Sequence, residues 1–279
     1  MKKIIEKADV LIEALPYIKN FRNKIFVVKY GGSAMMDRER GKTILQDIVF
    51  MNYVGIKVMV VHGGGYFINQ SLKKKGKQSK FANGLRVTDR DTIETVISTL
   101  RKLNEQIVEE IKELGGESVG VNGEDVFRVS PHRAEIGFVG EVESVDSQEI
   151  NKLLEEKKIP VISPLGKNSQ DVYNINADQA AAEISLELRA EKLVLLTDVL
   201  GILAEENKES SLISTLHIKE VNSLIKREIV TGGMVPKVQA GVKALQHKVN
   251  KVHIIDGRIK HSLLLEIFTD QGIGTEIVK

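Results

Sequence analysis

The stretch VVHGGGYFINQ, residues 60–70, places consecutive glycines between a β-branched apolar run and the start of a helical pattern. A second stretch, IFVVKYGGS at residues 25–33, repeats the order of strand, glycines and helix. Glycine at such a position serves a tight turn, a close approach of the backbone to a ligand, or a cradle of N–H groups for phosphate. Because ligands of open α/β sheets bind beyond the carboxyl ends of the strands, both turns are candidate binding elements.

Strand and helix patterns alternate along most of the chain. Apolar runs such as KVMVV and KLVLLT lead into glycine turns, and the longest helical stripe of apolar residues runs from Ile93 to Leu114. This alternation predicts an α/β fold with a largely parallel sheet and helices on both faces. Thr88, with Asp91 three residues later, has capping-box spacing and is predicted to open the long helix. Weaker strand signals across residues 118–142 predict a hairpin region.

The N-terminal segment has the pattern of an amphipathic helix. Pro16 falls inside the pattern and removes a backbone donor, so a kink is predicted near Leu15. The apolar stripe packs either on its own domain or on a partner subunit, and both interpretations stay open. The stripe consists of Ile4, Ala8, Leu11, Leu15 and Ile18.

Composition and charge exclude several classes of function. The chain has 279 residues, of which 42% are hydrophobic and 28% charged, and a formal net charge of +2. We therefore expect no nucleic-acid partner and no membrane partner. Cysteine is absent, which excludes disulfides and thiolate metal sites and favours a reducing, cytoplasmic location. No apolar run approaches the ~18 residues of a membrane span or the core of a signal peptide.

Familiar catalytic motifs are missing from the sequence. It contains neither G-x-x-x-x-G-K-[ST] nor G-x-G-x-x-G, which disfavours a P-loop enzyme and a dinucleotide site. It also lacks H-E-x-x-H and G-x-S-x-G, so zinc hydrolases and serine hydrolases lose support. No metal site is predicted.

Four charged residues are candidates for site chemistry. Lys29 ends the strand before the first glycine turn, where it is either a solvated surface group or a cation over the turn. Lys237 stands in the first turn of a helix, where its charge costs about a few tenths of a kcal/mol that an anionic ligand would offset. Asp178 lies in the first turn of a helix. Its carboxylate either stabilises the N-terminus of that helix by its negative charge or holds two ammonium groups in place. Arg86 is either a surface charge or a bidentate ligand that binds a carboxylate through two parallel hydrogen bonds.

Taken together, these stretches resemble N-acetylglutamate kinases, a branch of the amino acid kinase family. The motifs, in matching order, are VVKYGG, VVHGGG, NGLRVTD, GFVGEV, NINADQAA, LLTDVLGIL and GGMVPKV. The resemblance runs from about Phe26 to the C-terminus and implies a three-layer αβα sandwich of the carbamate kinase-like fold. It implies an N-terminal lobe, residues 23–181, that binds the amino-acid substrate and a C-terminal lobe, residues 182–279, that binds ATP. The implied reaction moves the γ-phosphoryl group of MgATP, with Mg²⁺ as its metal, to the side-chain carboxylate of N-acetyl-L-glutamate in arginine biosynthesis.

The resemblance also implies roles for individual residues. Those that stabilise the phosphoryl group or orient its ligands are Lys29, Lys237, Asp178 and Gly32. Those that bind the amino-acid substrate are Gly64, Gly65, Arg86 and Asn174, with Gly64 also donating to the phosphoryl group. Those that line the nucleotide site are Asp198, Gly201, Ile229, Val230 and Thr231. Ser33 and Glu228 depart from the common pattern, and Glu228 lies near the implied nucleotide site.

The two ends of the chain resemble the arginine-inhibited branch of these kinases. In that branch the N-terminal helix, here residues 1–22, pairs between dimers to build a hexamer, a trimer of dimers. Arginine binds there between this helix and the C-terminal segment. A PII-type signalling protein is a further candidate partner of this chain, which the sequence leaves open. The residues that match the inhibitor site are Tyr17, His253, Glu266 and Gly272. The alternative interpretation of SLLLEIFT is a closing amphipathic helix without regulatory function.

Three other functions are weighed against this one. The nearest enzyme phosphorylates an N-acetyl-2-aminoadipate derivative, which is longer by one methylene, and one methylene provides only ~1–3 kcal/mol of discrimination. The second is a catalytically silent arginine sensor, which the intact pair of lysines disfavours. The third is a dinucleotide-dependent oxidoreductase, which the missing fingerprint disfavours.

Overall fold

The computed structural model describes residues 2–82, 84–270 and 272–279. The side chains of Ile4, Ala8, Leu11 and Ser33, and all of Asn83 in the predicted turn, lie outside the described residues. The described helices are Lys2–Phe21 (α1), Arg38–Tyr53 (α2), Gly65–Lys74 (α3), Arg90–Glu113 (α4), Gly123–Val126 (α5), Gln148–Glu155 (α6), Ala177–Glu187 (α7), Ile218–Lys226 (α8), Met234–Gln246 (α9) and Ser262–Phe268 (α10). The described strands are Ile25–Tyr30 (β1), Lys57–His62 (β2), Phe81–Ala82 (β3), Leu85–Arg86 (β4), Ser118–Val121 (β5), Phe127–Pro131 (β6), Gly140–Val145 (β7), Ile159–Ile162 (β8), Leu165–Lys167 (β9), Val172–Asn174 (β10), Lys192–Thr197 (β11), Thr215–His217 (β12), Lys251–Asp256 (β13) and Thr275–Val278 (β14).

The middle layer of the described chain is a sheet in the order β12-β14-β13-β11-β1-β2-β8-β5. Its neighbouring strands run parallel, except that β14 is antiparallel to β13. A smaller sheet, β10-β9-β6-β7, and the hairpin of β3 and β4 stand apart from it. The largely parallel sheet with helices on both faces confirms the predicted α/β class.

Alternate residues of the central strands enter separate hydrophobic cores. Val27 of β1 packs in a core with residues of α6, α7, α8 and α9, whereas Val28 packs in a core with residues of α2, α4 and α10. Since successive side chains of a strand point to opposite faces, a strand covered on both faces reads as a continuous apolar run. That is why FVV and VMVV have no polar alternation.

Two sequence expectations about local structure are wrong in detail. The cap of α4 is Asp89, whose side chain accepts a 2.8 Å hydrogen bond from Thr92 N, and not Thr88. Thr88 is buried, and its hydroxyl donates instead to Arg86 O at 2.8 Å. In the expected hairpin region β6 and β7 do pair antiparallel, but β5 pairs in parallel with β8 in the central sheet.

The predicted N-terminal helix is confirmed as α1, which contains Pro16. Its last turn reaches the core, because Phe21 is buried against Phe26 with ring centroids 5.2 Å apart. Across the described ranges, no helix has both the length and the apolar character needed to cross a membrane.

A buried acid joins α2 to the C-terminal helix and makes stability depend on pH. Asp47 Oδ1 lies 2.6 Å from His261 Nδ1, while Oδ2 is buried without a hydrogen-bond partner among the described residues. Burial raises the pKa of Asp47 from 3.8 to about 6, although the His261 contact and the nearby backbone N–H groups of Leu263 and Leu264 work in the opposite direction. The folded protein therefore holds this proton more tightly than the unfolded chain does. The resulting stability is complete below about pH 4 and is lost as the pH rises through 6.

We expect Asp47→Asn, which cannot ionise, to escape that loss. A shift of about two pKa units corresponds to about 3 kcal/mol. The free energy of unfolding of the variant, relative to wild type, should rise by about 2–3 kcal/mol between pH 4 and pH 7 in urea titrations. The exposed Glu143→Gln serves as the control and should show no such trend. A difference for Asp47→Asn that does not change with pH would contradict the assignment.

Candidate active site

The two glycine turns lie side by side at the carboxyl edge of the central sheet. β1 and β2 are parallel neighbours with Tyr30 opposite His62, and Gly63 N donates a 2.6 Å hydrogen bond to Tyr30 O. A Cβ atom on Gly63 would lie 3.6 Å from Gly31 Cα. The turns therefore present their peptide groups to one shared space.

Close neighbours crowd two of the glycines in these turns. Gly32 has a φ of +73°, and a Cβ there would lie 2.5 Å from Asp198 Oδ1. A Cβ on Gly64 would lie 2.4 Å from Leu100 Cδ2. Gly64 is also the N-cap of α3, so the N–H groups of the following turn lack intrahelical acceptors and favour an anion.

A carboxylate between two lysines lies beside the turns. Lys29 Nζ is 3.2 Å from Asp178 Oδ1, and Lys237 Nζ is 2.6 Å from Asp178 Oδ2. The exposed fractions of the three side chains are 9%, 10% and 16% for Lys29, Asp178 and Lys237. Asn176 caps α7 by accepting from Asp178 N at 2.9 Å, which fixes the backbone that carries the carboxylate.

The electrostatics of this cluster favour an added anion. Burial would raise the pKa of Asp178, but the ammonium groups of Lys29 and Lys237 outweigh it and hold that pKa below its ordinary value. Burial and the neighbouring Lys29 lower the pKa of Lys237, against the pull of Asp178. The contact of Lys29 with Oδ1 is an ion pair without hydrogen-bond alignment, and Oδ1 has no hydrogen-bond partner in the described part of the chain. One carboxylate thus neutralises half of the positive charge of the two lysines.

Arg86 lies in a small cavity on one side of this cluster. The cavity has a volume of about 210 Å³ and is lined by Lys29, Gly64, Asn174 and Asp178 among others. Arg86 is 6% exposed; it donates to Ser79 Oγ at 2.6 Å and to Gly65 O at 3.1 Å. These bonds use two of its five N–H donors, and burial lowers its pKa. The open interpretation of Arg86 as an exposed surface charge is therefore wrong.

A larger cavity of about 830 Å³ lies on the other side of the cluster. Lys237 lines it together with the predicted nucleotide residues Gly201, Ile229 and Thr231, and with Glu228. Val230 does not line this cavity, because its side chain is 1% exposed and packs in the core beneath it. Asp198 does not line the larger cavity either. It lies beside Gly32, because Asp198 follows strand β11 and β11 is the neighbour of β1 in the sheet. The ion pair of Asp178 with Lys237 is the junction of the two cavities.

The predicted inhibitor residues come together at a separate cavity of about 420 Å³, lined by Tyr17, His253, Glu266 and Gly272. His253 Nδ1 lies 2.6 Å from Glu266 Oε1. Glu266 Oε2 accepts backbone hydrogen bonds of 2.6 Å from Ile273 N and 3.1 Å from Gly274 N. Burial would raise the pKa of Glu266, but the His253 contact and these backbone donors lower it.

Sequence reasoning missed several residues of these sites. Lys192 Nζ lies 2.8 Å from His253 Nε2, and burial lowers the pKa of Lys192 to about 8. Tyr17 donates to Asp270 across the same cavity. His62, in the opening motif, is buried beside the second glycine turn. The adjacency of strands β11 and β13 brings Lys192 to His253, and the packing of α1 against α10 brings Asp270, which follows α10, to Tyr17. Neither proximity is visible in the sequence, whereas the position of His62 directly before Gly63 is.

The fold and this cluster define a phosphotransferase type of site, in which positioning and charge neutralisation do the work. The amino acid kinase family matches residues 24–256, which contain Lys29, Asp178 and Lys237. The chain belongs to the amino acid kinase family.

One curated relative and two solved structures show which known proteins this chain is similar to. The chain is 50% identical to acetylglutamate kinase of Syntrophomonas wolfei over 98% of both chains. Its structure superposes on that of N-acetylglutamate synthase of Neisseria gonorrhoeae, which was solved in complex with coenzyme A and N-acetyl-glutamate. The TM-score is 0.88 at 26% identity, and the match covers 98% of this chain and 63% of the synthase chain. Carbamate kinase of Giardia lamblia shares the fold, with a TM-score of 0.70 at 16% identity over 92% of this chain and 99% of that one.

Proposed function

We propose that the protein transfers the γ-phosphoryl group of MgATP to the side-chain carboxylate of N-acetyl-L-glutamate. The observation that carries the proposal is Asp178, whose carboxylate bridges Lys29 and Lys237 at the junction of two cavities. The 50% identity to an acetylglutamate kinase over the full chain supports this substrate.

The proposed chemistry requires no side-chain nucleophile. The substrate carboxylate is ionised at neutral pH, so its oxygen forms the new bond to the γ-phosphorus while the bond to the β–γ bridging oxygen breaks and ADP leaves. Lys29 and Lys237 neutralise charge on the phosphoryl oxygens, and Asp178 holds both ammonium groups in place. Backbone N–H groups of Gly32 and Gly64 complete the cradle.

The two substrates occupy the two cavities in this proposal. Arg86 and Asn174 bind the α-carboxylate and acetamido group in the smaller cavity, within the N-terminal lobe of residues 23–181. ATP occupies the larger cavity of the C-terminal lobe, residues 182–279, against Gly201, Ile229 and Thr231. Among the described residues, no group of three or more His, Asp or Glu side chains is placed to hold a metal ion. In this proposal Mg²⁺ accompanies ATP as the MgATP complex.

Hydroxylamine trapping tests the proposal, because an acyl phosphate reacts with hydroxylamine to give a hydroxamate. Purified protein is incubated with MgATP and either N-acetylglutamate or N-acetyl-2-aminoadipate. Hydroxamate from N-acetylglutamate is the expected result. Product from the longer substrate alone would replace the proposed substrate, and no product from either, with ATP bound, would favour a silent sensor.

We further infer that L-arginine inhibits this enzyme at the cavity formed by Tyr17, His253, Glu266 and Gly272. Glu266 and Asp270 offer carboxylates to a guanidinium, and Glu266 is already held by the backbone N–H groups of Ile273 and Gly274. Because α1 contributes Tyr17, packing of α1 against a second copy in a hexamer would couple assembly to this cavity. A PII-type signalling protein is a candidate partner of the same assembly.

Glu266→Gln tests the inhibitor site. Loss of the carboxylate charge should raise the arginine concentration for half-inhibition by at least about tenfold, because a charge-assisted bond contributes about 1.5–3 kcal/mol. Inhibition is measured relative to the uninhibited rate of each variant. The exposed Glu143→Gln, far along the chain on β7, should leave the half-inhibition point unchanged. An arginine response of Glu266→Gln equal to that of wild type would refute the site.

A further inference from the structure

His62 is a buried imidazole next to the active site that the proposed chemistry does not use. It is the last residue of β2 and is 0% exposed. Its Nδ1 lies 2.8 Å from the carbonyl oxygen of Gly63. Its Nε2 is buried and has no hydrogen-bond partner among the residues described.

The hydrogen bond fixes the protonation of the ring. A carbonyl oxygen only accepts, so Nδ1 carries the proton and donates it to Gly63 O. Burial lowers the pKa of His62 to about 4, so the ring is neutral and Nε2 is an unprotonated acceptor at neutral pH. An orphaned buried acceptor costs stability, and an apolar residue of similar shape would avoid that cost. Stability therefore does not explain a histidine here.

The peptide that His62 holds is the one that carries the Gly64 N–H. In a trans peptide the carbonyl of Gly63 and the N–H of Gly64 point in opposite directions from one rigid plane. Fixing Gly63 O against His62 therefore fixes the direction of Gly64 N–H. Gly63 N is fixed as well, by its 2.6 Å bond to Tyr30 O. Gly64 lines the small cavity with Lys29 and Asp178.

Glycine makes such an anchor necessary. The Gly63–Gly64 peptide has no Cβ atom on either side, so its plane turns over at little steric cost. A reversed plane would direct a carbonyl oxygen, in place of an N–H, at the space where phosphoryl oxygens bind. That change replaces an attraction by a repulsion in the transition state.

We propose that His62 is a positioning residue that locks the Gly63–Gly64 peptide with its N–H directed at the transferring phosphoryl group. The proposal rests on the phosphotransfer function proposed above. It deepens that function by assigning the orientation of one backbone donor to one side chain.

Three substitutions separate this role from simple packing. Asn places an N–H donor where Nδ1 stands, Gln places one nearer to Nε2, and Leu provides none. We expect His62→Leu and His62→Gln to lower kcat by about tenfold to a hundredfold, with KM values for both substrates changing less than about threefold. We expect His62→Asn to retain kcat within about threefold of wild type. This kcat pattern should hold even if His62→Asn has a lower Tm than His62→Leu or His62→Gln.

The outcomes distinguish the inference from the proposed function. Wild-type kcat in His62→Leu, or equal losses in His62→Asn and His62→Leu, would overturn the role of His62 while the phosphotransfer assignment stands. No hydroxamate from wild-type protein would instead overturn the function. The amide resonance of Gly64 in ¹H–¹⁵N spectra provides a readout without turnover: it should shift in His62→Leu and stay near wild type in His62→Asn. If His62→Leu does not fold, the contrast of Asn with Gln decides the matter.

Discussion

Replacement of Lys237 by methionine should lower kcat by about a thousandfold while ATP binding stays within about fivefold of wild type. Lys237 Nζ is held 2.6 Å from Asp178 Oδ2 at the junction of the two cavities, where a γ-phosphoryl group passes between substrates. Its charge matters most when negative charge develops on the transferring oxygens, so the loss falls on kcat rather than on ground-state binding. Methionine keeps the volume of the aliphatic stem, so packing of α9 is preserved.

The matched control is Lys243→Met on the same helix. Lys243 also pairs with a carboxylate, Glu183, at 2.5 Å, but it is 49% exposed and lines neither cavity of the active site. Its replacement should change kcat by less than about twofold. Turnover is followed by hydroxamate formation and ATP binding by titration calorimetry. A Lys237→Met enzyme that turns over within about threefold of wild type would remove Lys237 from the mechanism.

Local sequence patterns predict the central sheet and its glycine turns, because each strand–glycine–helix unit depends on residues close together in the chain. The alternation of KVMVV and KLVLLT with helices is enough to predict parallel strands. The meeting of Lys29, Asp178 and Lys237 is a different matter. It depends on the packing of α7 against α9 and β1, which no local pattern encodes. Residue types and spacing leave both interpretations of each residue open, and only the resemblance to the kinases implies that the three act together.

The expectations that failed depend on strand order or on competition between neighbouring groups. Asp198 lies beside Gly32 because β11 is adjacent to β1. The local sequence of neither strand predicts that the two are adjacent. Thr88 loses the cap of α4 to Asp89 because its hydroxyl is taken by Arg86 O. Glu228 adopts a left-handed φ of +57°, a conformation that favours glycine. The departure noted at Glu228 therefore reflects a special backbone position at the edge of the larger cavity.

Substitution of Arg86 by lysine is predicted to raise the KM for N-acetylglutamate about a hundredfold, with a smaller change in KM for ATP. The guanidinium is fixed by Ser79 Oγ and Gly65 O and by the Phe81 ring, whose centroid is 4.8 Å away. It can therefore offer its remaining donors to the α-carboxylate without further ordering. An ammonium group cannot reproduce two parallel bonds, and losing one charge-assisted bond and its alignment costs about 3 kcal/mol.

A substrate with the α-carboxylate replaced by an amide identifies the group that Arg86 binds. With this analogue the KM of wild-type protein should rise until it is within about threefold of the KM of Arg86→Lys. With N-acetylglutamate the two KM values should differ by about a hundredfold. Arg90→Lys is the matched control, since Arg90 is 67% exposed and pairs with Asp171 at 2.6 Å outside the small cavity. Its KM should stay within about twofold of wild type. If Arg86→Lys and wild type differ by the same factor on both substrates, Arg86 shapes the cavity and does not bind the α-carboxylate.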